Sequence, residues 1–262
     1  MANRESVAIV SGACGDIGRA IVLELARRGA AVALSDVGSA QEAEGVLREV
    51  RALGRVARYD RVDVSDAEAV DRWVDDVRST TGDVAWAVAS AATVTIAGTM
   101  QVSSGAWKRE LDVNLNGAFY VARAAAGAML GADRGGRIVF VGSWAAHAPH
   151  ANLPAYSVSK AGVRMLCRCM ALELADRGIL VNEIAPGYVD AGLSAEVFRK
   201  DPGAREKASA RVPLGRMMTA EDVAKQVGYL CFDSSSHTTG STLLMDGGLS
   251  LGTPVRGSEF ES

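Results

Sequence analysis

The stretch Val7-Ala-Ile-Val-Ser-Gly-Ala-Cys-Gly-Asp-Ile-Gly18 joins a short apolar run to a run of helical periodicity through a glycine-rich turn. Val7–Val10 reads as a buried strand and Ile17–Arg28 as the helix that follows. Glycine lets the backbone turn sharply between the two. It also lets another group come close to the helix N-terminus, where unpaired N–H groups and the helix dipole favour an anion. Elsewhere a glycine-rich turn would be a weak signal. At the first strand-to-helix junction it points to a pyrophosphate cradle built from Gly12, Gly15, Ile17 and Gly18.

The same alternation continues along the chain. Ala31–Ser35, Val56–Arg61, Val84–Ala89, Arg137–Gly142, Leu180–Ile184 and Thr242–Met245 read as strands. Ala40–Leu53, Ala67–Thr80, Ala106–Leu130, Ala155–Asp176 and Ala220–Phe232 carry helical patterns between them. Strands that are apolar almost throughout, separated by helices, form a parallel sheet covered on both faces. Right-handed crossovers make it a doubly wound α/β sheet, here of about seven strands. No repeat, low-complexity segment or Pro/Gly linker divides the chain. Residues 1–252 are therefore expected to form a single domain, followed by a flexible tail at 253–262. Ser143–Pro154 and Asp190–Arg216 break the rhythm. Both follow strands on the C-terminal side, where open α/β sheets bind ligands, and residues 190–216 are expected to form a substrate lid.

Composition narrows the class. The 262 residues are 48% apolar and carry a net charge of −3, which provides a substantial core and no basic surface. Nucleic acid and anionic membrane are not expected as partners. Val84–Trp107 is uncharged and long enough to span a bilayer, but Ser, Thr, Gly and Gln interrupt it. A buried strand leading into an active-site loop is expected there instead. No basic-then-apolar leader follows Met1, and Cys14, Cys167, Cys169 and Cys231 form no zinc-type spacing with histidine. They read as free thiols of a reducing cytoplasm, with no metal.

Asp36 ends the second strand, where an acidic side chain hydrogen-bonds the adenosine ribose hydroxyls and repels a 2′-phosphate. Neither Val37 nor the glycine turn supplies an Arg or Lys. NAD is therefore favoured over NADP, the alternative being that Asp36 merely caps a turn.

Tyr156-Ser-Val-Ser-Lys160 supplies the chemistry. Positions four apart share a helix face, so the phenol and the ammonium point into one space. The cation is expected to lower a phenol pKa that ordinarily lies near ~10. Ser143 follows a strand thirteen residues earlier, and Asn114 lies in Val113-Asn-Leu-Asn-Gly117. Taken with Gly12, Asp36, Asp63-Val64, Asn182, Pro186-Gly187 and Met245-Asp-Gly-Gly248, this set in this order resembles the short-chain dehydrogenase/reductase family from Val7 to about Gly248.

The resemblance implies a Rossmann-type sheet, a nicotinamide cofactor and a homotetramer or homodimer with Ala106–Leu130 and Ala155–Asp176 at one interface. It also implies roles. Tyr156 would exchange a proton with the substrate oxygen and Ser143 would hold that oxygen. Lys160 would bind the nicotinamide ribose and keep Tyr156 acidic, and Asn114 would hold a water linking Lys160 to solvent. Asp63 and Val64 would contact the adenine, while Pro186, Gly187 and Val189 would border the nicotinamide. Each residue also has a plainer reading: Asn114 and Asn182 as partners of loop backbone, Ser143 as a loop cap, Tyr156 as core.

The chain departs from the family pattern in places. Asp16 stands at a fingerprint glycine position, with the glycine displaced to Gly15, and is expected to cap the following helix. Ala89-Ser-Ala-Ala92 replaces Asn-Asn-Ala-Gly, so the hydrogen bonds of that segment must be made otherwise or lost. Ala191 replaces a threonine. Trp144, His147 and His150 are candidate pocket walls or loop surface. In the lid, Arg199, Lys200, Arg205, Lys207 and Arg211 alternate with Glu196, Asp201 and Glu206, which reads as a solvated face or as a source of one anion-binding arginine. The leading expectation is oxidation of a secondary alcohol (a sugar, polyol or similar hydroxylated small molecule) with NAD. The alternatives are a 3-oxoacyl or other keto-group reductase, and a catalytically silent nucleotide-binding scaffold.

Overall fold

The computed structural model describes residues 6–192, 202–233 and 236–252. Its strands are β1 (Ser6–Ser11), β2 (Ala31–Asp36), β3 (Ala57–Arg61), β4 (Asp83–Ala89), β5 (Gly136–Val141), β6 (Ile179–Pro186) and β7 (Thr242–Met245). They form one seven-stranded sheet in the order β3-β2-β1-β4-β5-β6-β7, and every pairing is parallel. The helices are α1 (Asp16–Arg27), α2 (Ala40–Ala52), α3 (Ala67–Thr80), α4 (Ser104–Leu111), α5 (Gly117–Gly131), α6 (Pro154–Leu174), α7 (Pro202–Arg211) and α8 (Ala220–Gly228).

The two-residue period of a strand explains the two layers. Val7, Ile9, Ala31, Ala33, Ile138 and Phe140 point to one face, where α3, α5 and α6 cover them. Ala8, Val10, Val32, Leu34, Val139 and Val141 point to the other, against α1, α2 and α8. A strand buried on both faces must be apolar throughout, which is why these runs lack alternation. Connections from β1 run outward to β2 and β3, and those from β4 run the other way, so the order reverses between β1 and β4. The C-terminal ends of those strands border the crevice at which such sheets bind ligands.

Two expected helices are shorter than their periodicity suggests. Ala106–Leu130 is divided by a π-turn at Asp112–Asn116, between α4 and α5. Ala220–Phe232 ends as α-helix at Gly228 and continues as a π-turn over Tyr229–Asp233. There Phe232 stacks on Trp86 at 4.5 Å, and the Trp86 indole donates to the Cys231 carbonyl at 3.0 Å. One inserted residue per turn leaves the apolar pattern almost intact, so periodicity does not reveal it. Glu196, Arg199, Lys200 and Asp201 of the expected lid and the tail at 253–262 lie outside the described residues.

Phe140 is fully buried on the central strand β5. Phe140→Ala is expected to lower the unfolding free energy by about 3–5 kcal/mol, read as a shift of the urea midpoint at unchanged slope.

Candidate active site

The turn after β1 is built for close approach. Gly12 has φ +68°, and a Cβ there would lie 2.6 Å from Ala91 Cα. A Cβ on Gly18 would lie 2.8 Å from Ala13 Cα. Gly15, at the N-cap of α1, supplies no side-chain cap, so the first amides of the helix are left for an anion. Asp16 does not cap the helix as expected. It is already the first helical residue, and its Oδ2 accepts from Gly192 N at 2.8 Å, tying the turn to the segment after β6. The bonds expected from the segment after β4 are made from the other side: the Ser11 hydroxyl accepts from Ser90 N at 3.2 Å and Ala91 N at 3.4 Å.

A 210 Å³ cavity opens beside this turn, lined by Gly12, Asp36, Asp63, Val64, Ala91 and Arg109 among others. Both Asp36 oxygens are engaged, accepting from Cys14 N at 2.9 Å and Val37 N at 2.7 Å. Asp36 is thus a turn anchor as well as a cavity wall. Asp63 accepts from Ser65 N at 3.0 Å and Ser65 Oγ at 2.7 Å, and these bonds, with the Arg109 charge, lower its pKa. The expectation that no cation lies near Asp36 is corrected here. Arg61, paired with Asp36 across β2 and β3, donates to Val37 O at 2.9 Å, and Arg109 reaches the cavity from α4. Neither adjoins Asp36 in sequence. A cradle that a Cβ would fill, uncapped helix amides and an adjoining cavity with acidic walls together fit a dinucleotide.

Ser143, Tyr156 and Lys160 meet beyond the ends of β5 and β6. Ser143 is buried, and its Oγ accepts from Ala145 N at 3.1 Å, so its own proton is free to be donated. Lys160 is buried and donates to Val141 O at 2.7 Å. Its ammonium lies 5.7 Å from the centre of the Tyr156 ring. Burial lowers the Lys160 pKa to about 8, with the Glu183 charge opposing the shift. The expected lowering of Tyr156 is reversed in this environment. Burial raises its pKa, a hydrogen bond from Ser143 works against that, and the Glu110 charge adds to it. Desolvation is the largest influence on both groups, and it acts in opposite directions on a phenol and an ammonium.

Asn114 sits in the π-turn with its side chain fully committed. Its Oδ1 accepts from Thr93 N at 2.8 Å, and its Nδ2 donates to Thr93 O at 2.9 Å and Ser159 Oγ at 3.2 Å. Asn182 likewise binds loop backbone, donating to Thr238 O and accepting from Ser241 N.

A second cavity, of 150 Å³, has Ser143, Tyr156 and Gly187 at the reacting end and Ile96, Trp144 and Tyr188 among its other walls. Trp144 meets His150 and Tyr188 edge-on at 4.4 and 5.3 Å. His150 Nδ1 lies 2.9 Å from the Ala148 carbonyl and so carries the proton. Burial lowers the His150 pKa and favours the neutral ring. His147 is exposed and is not part of this wall. Val189 is buried and bridges Met218, while Pro186 ends β6 and Gly187 N is held by Met245 O at 2.7 Å. Val94, Ile96 and Leu153 were not singled out from the sequence. The first two lie in the uncharged Val84–Trp107 run, which marked the loop but not its inward side. Arg205 of the lid pairs with Asp190, and Arg211 donates to Tyr188 Oη at 2.9 Å.

Comparison with known proteins agrees with this geometry. A family model described as enoyl-(acyl carrier protein) reductase matches residues 12–250. The cis-4-hydroxycyclohexanecarboxylate dehydrogenase of Sinomonas cyclohexanicum is 36% identical over 249 residues, 93% of this chain and 96% of that protein. A crystal structure of a short-chain type dehydrogenase/reductase from Mycobacterium marinum superposes with a TM-score of 0.87 at 31% identity, over 94% of this chain and 96% of that one. Another, from Beutenbergia cavernae and described as an NAD(P)-dependent gluconate 5-dehydrogenase with bound NADP, gives 0.88 at 33% identity over 95% and 98%. The chain belongs to the short-chain dehydrogenase/reductase family and is an oxidoreductase of alcohols or ketones that uses a nicotinamide cofactor. Among the described residues no helix is long and apolar enough to cross a membrane, and no cluster of three potential metal ligands occurs.

The depressed Lys160 pKa has a thermodynamic consequence. The folded value of about 8 lies below the ordinary 10.5 of the unfolded chain. Between the two the unfolded state binds more protons, so this contribution to stability rises with pH. Measured against Lys160→Met by urea unfolding, wild-type stability is expected to increase by about 1 kcal/mol from pH 8 to pH 9.

Proposed function

We propose that the protein interconverts a secondary alcohol and its ketone on an apolar, ring-bearing substrate, with Tyr156 as the proton-transfer residue. Ser143 and Tyr156 on the wall of a 150 Å³ cavity, with the Lys160 ammonium 5.7 Å from the centre of the Tyr156 ring, carry this reading. Gly12, Gly15, Ile17, Gly18, Asp36, Asp63 and Val64 would hold the adenosine and pyrophosphate half of the cofactor, and Pro186, Gly187 and Val189 the nicotinamide half. When bound, the cofactor supplies the hydride acceptor or donor.

The chain's own residues handle the proton. Tyr156, held protonated at neutral pH by burial, donates to the carbonyl oxygen during reduction and takes the hydroxyl proton during oxidation. Ser143 donates a hydrogen bond to the same oxygen, since its acceptor role is already filled by Ala145 N. Lys160, with a pKa of about 8, passes the proton on. Asn114 holds the loop after β4 and Ser159 in place, and a water beside it completes the route to solvent.

Walls formed by Val94, Ile96, Trp144, Leu153 and Tyr188 favour an alicyclic alcohol over a sugar or polyol. The similarity to a hydroxycyclohexanecarboxylate dehydrogenase supports the same preference. NAD is preferred because the Asp36 carboxylate, anchored on both oxygens, repels a 2′-phosphate more directly than Arg61 or Arg109 attracts it. Phe119, Met165 and Leu172 expose apolar surface on α5 and α6, which supports a homo-oligomer built on these helices.

NADH formation across cyclohexanol, cis-4-hydroxycyclohexanecarboxylate, sorbitol and gluconate tests the substrate class. The cyclic alcohols should exceed the polyols by at least about tenfold in kcat/KM, and the reverse order would overturn the reading. Tyr156→Phe should lower kcat by about 10²–10⁴-fold. Asp36→Ala should raise the NADP/NAD preference ratio by about tenfold or more, close to ~1.4 kcal/mol. Oxidation should quicken between pH 7 and 9 as Lys160, with a pKa of about 8, loses its proton, while reduction slows.

A further inference from the structure

Helix α6 carries a third polar residue on the Tyr156–Lys160 repeat, four positions further on. Arg164 is nearly buried, and Glu183 on β6 is fully buried. The guanidinium Nε donates to Glu183 Oε2 at 3.0 Å, and Nη2 reaches Oε1 at 3.5 Å. The remaining donors turn to the loop after β5: Nη1 to Ala146 O at 3.2 Å and Nη2 to Ser143 O at 3.4 Å. Glu183 Oε2 also accepts from Thr242 Oγ1 at 2.6 Å. On the other side of the serine, a Cβ on Gly142 would collide with the Glu183 carboxylate. Ser143 is therefore held at its own carbonyl by Arg164, next to a glycine whose lack of a side chain makes room for Glu183.

We propose that the Arg164–Glu183 pair is a positioning device for Ser143, holding the backbone on which the serine hydroxyl is aimed. The inference rests on the reading of Ser143 as the residue that holds the substrate oxygen. Stability alone does not call for such a pair, because apolar residues of similar volume often serve a fold as well as or better than a buried ion pair. The geometry asks for arginine in particular. Only a planar fork with several donors can bind a carboxylate and two carbonyls together. Glu183 reaches the neighbouring catalytic group as well, since its charge opposes the burial-driven fall of the Lys160 pKa.

The double variant Arg164→Met/Glu183→Gln tests the proposal, assayed with the fastest alcohol of the panel above. Its melting temperature and NAD affinity should stay near wild type, while kcat falls by about tenfold or more, as a misaimed group near the chemistry requires. Introduced into Ser143→Ala and compared at a pH of about 9.5, where Lys160 is neutral with or without the Glu183 charge, the same pair of changes should cost less than about twofold further, because the remaining effect runs through one hydroxyl. Arg164→Lys should recover part of what Arg164→Met loses. Wild-type kcat in the double variant, or an undiminished extra loss in the Ser143→Ala background, would overturn the proposal. A fully active Ser143→Ala enzyme would instead sink the reading on which it rests. Amide exchange provides a measurement independent of turnover. Deuterium uptake over residues 143–148 should rise in Arg164→Lys while β1 and β2 stay unchanged, and equal uptake would count against the positioning role.

Discussion

The backbone at Gly12 lies against the backbone at Ala91, and the two halves of the site depend on that contact. Gly12 turns with a positive φ because a side chain there would strike Ala91, and the Ser11 hydroxyl holds the Ser90 and Ala91 amides from beneath. The contact lies where the strand order reverses, between β1 and β4. It closes one end of the crevice and delivers the loop after β4 to both cavities: Ala91 lines one and Val94 and Ile96 line the other. Ala89-Ser-Ala-Ala92 carries no side-chain amide, and the Ser11 hydroxyl on the neighbouring strand holds its backbone.

Burial governs the electrostatics at the opposite end. Tyr156, Lys160 and Arg164 recur every fourth residue on α6, but each meets a different partner. Tyr156 faces the cavity and Ser143, Lys160 is drawn to the Val141 carbonyl, and Arg164 is spent on Glu183 and the loop that carries Ser143. Desolvation moves the tyrosine and lysine pKa values apart, raising the one and lowering the other to about 8.

The 150 Å³ cavity is walled by three pieces: the loop after β4, the Trp144–His150 segment and Tyr188 after β6. Edge-on contacts among Trp144, His150 and Tyr188 make one aromatic wall from them. Arg211 donates to the Tyr188 hydroxyl from α7 and lies over its ring, so α7 helps to set the position of that wall.

Much of this was legible in the order of residues. Near-continuous apolar strands and a glycine turn at the first junction determined a doubly wound sheet, and the four-residue spacing of Tyr156 and Lys160 set the ammonium against the phenol ring. These signals are local, because strand period, helix face and turn chemistry each depend on a few neighbouring residues. Tertiary structure alone decided the rest. It set Arg61 opposite Asp36 and Arg109 in the same cavity, turned His147 outward and His150 inward, set Asp16 on Gly192 rather than on its own helix, and inserted the π-turn around Asn114. It also reversed the sign of the Tyr156 shift. The reason is common to all of them: burial and charge act through space between residues far apart in the chain, and a sequence records neither the distance nor the loss of water.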